Sequence, residues 1–386
     1  MISAELRKFD SIRPYEPEEL PAVFDRLLSD RQFLAVLGYV FKDVPIEAVV
    51  AKIRSCRTNI EFQLNVCYGF LETLLANVSD GLDMDCSAVD RKKRYTFMSN
   101  HRDIVLDSAF LDKLLVDNGF ETTCELALGD NLLAAPWIED LVRVNKSFLV
   151  RRGLGIRETF VASKQMSEYM HYVLAHKNDN IWIAQREGRA KDSDDRTQPA
   201  ILKMIAMSGE GGIIDRLKQL HIVPTAISYE YDPCDYLKAE EFQLKRDVEG
   251  WKKSSDDDVR NMRAGIMGYK GRIHYHLAPC IDEWLGTIDG GMPSNELFPL
   301  VAAHIDEEIH RNYLLYPCNY IALDLLSPRG DSHADKYTAE DKARFESYLA
   351  SRIALIDIPD KDEAYLRERI LTMYANPAVN KFKAAK

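Results

Sequence analysis

The chain of 386 residues carries 50 Lys and Arg against 61 Asp and Glu, a formal net charge of -11. That balance speaks against general nucleic-acid binding and makes any basic run a local exception. Hydrophobic residues at 46% and charged residues at 29% supply an ordinary globular core, enough for one large domain with extensions or for two domains.

The seven cysteines, Cys56, Cys67, Cys86, Cys124, Cys234, Cys280 and Cys318, are scattered and form no Cys-x-x-Cys pair. Reduced thiols in a cytosolic compartment are expected. The first residues, Met1 to Lys8, lack the apolar core of a signal peptide, and no apolar run approaches the roughly 18 residues of a spanning helix.

Residues 13 to 78 read as helical. Pro17 and Pro21 open a segment in which Val23, Phe24, Leu27, Leu28, Phe33, Leu34, Leu37 and Val40 keep an approximate helical period. A second helix is expected over 46–53. A third is expected over 60–75, with Phe62, Val66, Phe70 and Leu74 on one stripe. These stripes suit a helical cap on the main body. An amphipathic face for a membrane is the alternative, but the polar residues mix acid and base without the Lys/Arg excess that anionic lipid attracts. Residues 79–94 are turn-rich and end in Arg91-Lys92-Lys93-Arg94, the densest basic run. A solvated turn is the plain reading, and attraction of an anionic lipid or a carrier protein is the second.

A β-prone run, Tyr95 to Met98, is then interrupted by Ser99-Asn100, and His101, Arg102 and Asp103 come next. From Asp107 the residues Phe110, Leu111, Leu114, Leu115 and Val116 recur at helical spacing, with Asp107 or Ser108 as the expected N-cap. A histidine and two carboxylates therefore fall where a strand passes into a helix, the usual place for a site in an α/β fold. A histidine held by a carboxylate is a base near neutral pH. His101-Arg102-Asp103 also matches the tripeptide of the protein-kinase catalytic loop. The metal-binding Asn and the Asp-Phe-Gly of that family are missing, so the kinase reading fails.

Further strands are expected at 125–129, 147–150, 181–184, 222–229 and 272–277, and helices at 107–118, 137–144, 156–176, 200–207, 213–220, 297–309, 339–356 and 361–375. Residues 234–270 read as partly helical, with an exposed loop over 252–258. This alternation indicates an α/β sheet packed between helices. His274-x-His276 would put two imidazoles on one strand face, but no third ligand stands at a telling distance. No metal is expected.

Four polar clusters come after strands in an order that resembles the sequence blocks of the glycerolipid acyltransferases, the glycerol-3-phosphate and 1-acylglycerol-3-phosphate acyltransferase superfamily. They are Asn100-His101 with a later Asp, Phe148-Leu149-Val150-Arg151-Arg152, Arg186-Glu187-Gly188-Arg189, and Ile222-Val223-Pro224 with Ala226-Ile227. The stretch Arg196 to Met204 is similar to the segment after the third block in the glycerol-3-phosphate branch. The match spans 97–229 and leaves both ends of the chain uncovered.

In one respect the chain departs from the pattern. The family keeps four residues between His and Asp, which falls on Leu106 here. Asp107, which precedes the helix as the family's Asp does, is the expected partner, and Asp103 is the alternative.

The resemblance implies a central mixed, mostly parallel sheet flanked by helices. It divides the chain into an N-terminal helical region (1–90), an acyltransferase domain (91–330) and a C-terminal helical extension (331–386). It also implies transfer of an acyl group from a thioester, acyl-CoA or acyl-carrier protein, to a hydroxyl, without a permanently bound cofactor. His101, oriented by Asp107, would take the acceptor's proton. Arg151, Arg152 and Arg189 would suit a phosphate, Glu187 would hold acceptor hydroxyls, and Gly188 would let the backbone approach the ligand.

The expected acceptor is glycerol 3-phosphate or a lysophospholipid, and the expected location is the cytoplasm or the inner face of a membrane. An amino-acid or amine acceptor, as in aminolipid synthesis, stays open. So does a non-catalytic scaffold that binds lipid or acyl-carrier protein.

Overall fold

The structure, a computed structural model, describes residues 2–385. Seven strands form one sheet: β1 (Gly81–Asp85), β2 (Thr96–Ser99), β3 (Cys124–Gly129), β4 (Ser147–Val150), β5 (Asn180–Ala184), β6 (Ile222–Tyr229) and β7 (Arg272–Leu277). Their order is β1-β7-β6-β2-β5-β3-β4. Every pair is parallel except β6 with β7. The fold is therefore α/β with a mixed, mostly parallel sheet, as expected.

Period-two alternation sends neighbouring residues to opposite faces. Phe97, Val223, Ile227 and Tyr275 pack on one face with Leu71, Leu74, Phe110, Leu111 and Leu114. These come from the helices Tyr68–Val78 and Leu106–Asp117. Met98, Ile181, Ile222 and Ala226 pack on the other with Met166, Met170, Leu202, Val301 and Ile305. Central strands buried on both faces need such near-continuous apolar runs, and β2 and β6 are buried at every position. The helices Leu20–Ser29, Arg31–Val40 and Ile46–Ser55 gather a separate core around Val23, Phe24, Phe33 and Ile53. Another, around Ile321, Phe345, Leu349, Ile370 and Tyr374, is built by the helices Pro317–Leu326, Ala339–Ala354 and Glu363–Ala384.

Local chemistry explains where the elements differ from expectation. The first helical segment breaks at Asp30, whose carboxylate accepts the Gln32 and Phe33 amides and starts a new helix. β1 lies inside the stretch read as turns. Its Gly and Asp residues are poor strand formers, but Asp83 and Asp85 stand opposite His274 and His276 in the parallel ladder. The loop expected over 252–258 gives way to the helix Ser255–Met267, capped by Ser254, whose hydroxyl accepts from the Asp257 amide. The helix Pro317–Leu326, whose Cys318, Ile321, Ala322 and Leu325 fall at helical spacing, was not among the expected elements.

Candidate active site

β2 lies between β6 and β5 and ends at Ser99. Asn100 then clamps the chain to β6, its Oδ1 accepting from the Ile227 amide (2.8 Å) and its Nδ2 donating to the Ile227 carbonyl (2.9 Å). Just past this clamp the loop turns back over its own amides. Asp107, in the first turn of the helix Leu106–Asp117, is fully buried. Its Oδ2 accepts from the amides of Arg102 (2.6 Å) and Asp103 (3.0 Å) and lies 2.8 Å from His101 Nδ1. Its Oδ1 accepts from the Tyr229 hydroxyl at 3.0 Å. Tyr275, from the antiparallel strand β7, donates to the Asp107 carbonyl at 2.9 Å.

A carboxylate can only accept, so the hydrogen sits on Nδ1, which in a neutral imidazole leaves the lone pair on Nε2. The imidazole meets the Trp182 ring edge-on, centroids 5.7 Å apart, while the Trp182 indole donates to Ser99 Oγ at 3.0 Å. The His101 side chain is 12% exposed, enough to meet a ligand from one side.

The carboxylate on His101 is thus that of Asp107. Asp103 instead starts the helix, its Oδ1 accepting the Val105 and Leu106 amides, both at 2.9 Å. Neither Asp107 nor Ser108 is the cap. Asp103 Oδ2 is buried without a partner and faces Gly265 of the helix Ser255–Met267. Burial first, then the Asp107 charge, push the Asp103 carboxyl above its usual range. Arg102 is buried and paired with Asp195 at 2.8 Å, which also accepts from the Tyr313 hydroxyl at 2.6 Å.

The other candidate residues lie along the same edge of the sheet, in the order of the strands. The loop after β5 adjoins the His101 loop, the Gln185 amide donating to the Ser99 carbonyl at 2.8 Å. Within it Gly188 takes a φ of 68°, which favours glycine. Arg189 is buried, its guanidinium donating to Asn261 Oδ1 at 2.7 Å. Glu187 is 66% exposed and pairs with Arg152 at 2.9 Å, so the loops after β4 and β5 meet. Arg151 is 39% exposed, 3.5 Å from Asp130, and donates to the Ser11 carbonyl at 2.9 Å.

Trp182, Tyr229, Tyr275, Asn261 and Gly265 were not singled out from the sequence. They reach the site through the sheet or through a later helix. An aromatic hydroxyl at the end of a largely apolar strand, as at Tyr229, is the one signal that was there to read.

The basic run lies at the other edge, before β2, and Arg94 is engaged there with Glu121 (2.6 Å) and the Asn178 carbonyl (2.7 Å). His274 pairs with Asp83 at 3.0 Å and His276 with Asp85 at 3.6 Å. Among the described residues no helix is long and apolar enough to cross a membrane.

No protein family matches the chain, and no curated protein sequence does. Among solved structures it is similar to the 1-acyl-sn-glycerophosphate (LPA) acyltransferase PlsC from Thermotoga maritima. The identity is 10%, over 75% of this chain and 95% of that one, with a TM-score of 0.36.

Proposed function

We propose that the protein transfers an acyl group from a thioester to a hydroxyl, with His101 as general base. The observation that carries this is the buried Asp107 carboxylate 2.8 Å from His101 Nδ1, at the carboxyl end of the central strand. His101 Nε2 would take the acceptor's proton as its oxygen attacks the thioester carbonyl, and Asp107 would stabilise the imidazolium. Collapse of the tetrahedral intermediate expels the thiolate, which takes that proton. No covalent acyl-enzyme is required.

The donor in this reading is acyl-CoA or acyl-carrier protein, and the acceptor is glycerol 3-phosphate or its monoacyl form. Arg151 and Arg152 are exposed enough to meet a phosphate, and Glu187 to hold a hydroxyl, once the Arg152–Glu187 pair opens. Arg189, buried on Asn261, would contribute from beneath the loop. A lysophospholipid acceptor would bring the protein to the cytoplasmic face of a membrane.

Turnover of purified protein with an acyl thioester and a panel of acceptors tests the reading. His101→Ala should lower turnover roughly a hundredfold or more with an unchanged circular dichroism spectrum. Near wild-type turnover in that variant removes His101 from the mechanism, and equal use of a dephosphorylated acceptor removes the phosphate assignment.

A further inference from the structure

A second group of chemically capable side chains lies at the edge of the sheet opposite His101. His221 is the residue before β6, and Cys280 and Asp282 come shortly after β7. Because β7 runs antiparallel to β6, the exit of one strand meets the entry of the other. One ligand atom from each of His221, Cys280 and Asp282 lies within 4.8 Å of the other two.

Two observations mark the group out. Asp282 Oδ2 is 2.6 Å from His221 Nδ1, but Asp282 Oδ1 is buried with no hydrogen-bond partner, and such an oxygen calls for an explanation. His221 holds a φ of 45°, a left-handed conformation that a residue bearing a Cβ seldom adopts. His221 and Asp282 also line an open cavity of about 1030 Å³, shared with His171 and His176.

We propose that His221, Cys280 and Asp282 bind one divalent transition-metal ion of the zinc class, with the fourth position open to the cavity. Imidazole, thiolate and carboxylate suit such a borderline-soft cation. Metal–ligand bonds of about 2.0–2.3 Å in a tetrahedron set ligand atoms roughly 3.3–3.8 Å apart. Closing the triad therefore asks for side-chain shifts on the order of 1 Å and leaves the strands in place. Binding releases to solvent the Cys280 thiol proton and any proton shared by His221 and Asp282. The cation would face the Asp282 carboxylate that now meets His221 Nδ1. The site does not depend on the acyl-transfer reading.

Titration of chelator-treated full-length protein with Co²⁺ tests it. One equivalent should bind, with visible ligand-field bands and a thiolate-to-cobalt charge-transfer band, and Zn²⁺ should displace it. His221→Asn removes a ligand while keeping a residue that tolerates the left-handed backbone. It should weaken binding roughly a hundredfold. Cys280→Ser, a near-isosteric change, should abolish the charge-transfer band. The other six cysteines stay in both variants. A wild-type protein without that band, a band kept in Cys280→Ser, or wild-type affinity in His221→Asn overturns the proposal.

Discussion

At Asp107 four donors converge on one buried carboxylate: two backbone amides, the His101 imidazole and the Tyr229 hydroxyl. An asparagine there can still accept three of them on its single oxygen and turn its amide toward Tyr229, whose hydroxyl also accepts. Asp107→Asn should therefore fold but leave an imidazolium at His101 without its counter-charge, lowering turnover roughly a hundredfold or more. Asp103→Asn keeps the oxygen that accepts the Val105 and Leu106 amides and should change turnover only a few-fold. Steady-state kinetics on the two variants decides the matter, since equal small losses would dismiss the dyad. The choice between the two carboxylates was half legible. Its place at the helix start favoured Asp107, but the tight turn that brings its carboxylate onto the Arg102 and Asp103 amides depends on amide directions, which residue types do not encode.

The helix Ser255–Met267 is the element that presses on this loop. A Cβ on Gly265 would collide with the Asp103 carboxylate, which two amides hold in place. Gly265→Ala should cost roughly 1–3 kcal/mol in urea denaturation, as overpacking does, and should lower turnover through the displaced loop. Gly38, on the exposed side of the helix Arg31–Val40, has nothing within 4 Å of its ideal Cβ. Alanine there should instead stabilise by roughly 0.5–1 kcal/mol. Stabilisation by both substitutions would mean the Gly265 contact is looser than described.

Elements with a clear apolar period were readable in advance: β4, β6 and β7 match their expected spans to the residue. β1 was not, because its strand character comes from the ladder with β7 rather than from Gly81, Asp83 or Asp85. Tyr229 and Tyr275 were likewise inside expected strands, but nothing in the chain says that two strands bring both hydroxyls to one aspartate.

For the whole molecule, Asp112 gives a pH dependence with a definite sign. It accepts from the Cys124 amide at 2.8 Å and from Gln63 at 3.3 Å, tying a face helix to β3 and to the N-terminal helices. Burial pushes its carboxyl up from 3.8 to about 7. A raised folded-state value means that its contribution is fully present below about pH 4 and is lost as pH rises through about 7. Relative to Asp112→Asn, the wild type should lose roughly 3–5 kcal/mol across that window. Urea denaturation of both proteins at a series of pH values checks this, and parallel profiles would refute it.

The sheet also keeps its two edges apart, with the basic run and the His221 group at one and His101 with the arginines at the other. The antiparallel entry of β7 bears finally on the order in which the molecule can be made. Tyr229 reaches Asp107 across 122 residues of chain and Tyr275 across 168. Contacts that distant form late, because their loop-closure entropy must be met before they stabilise anything. During synthesis the loop from Asn100 to Asp107 emerges early and can close on its own amides. A nascent chain cut short of β7 carries both His101 and Asp107 yet lacks one of the two hydroxyls that hold the aspartate still. Translation must pass the last strand before the pair has its full support.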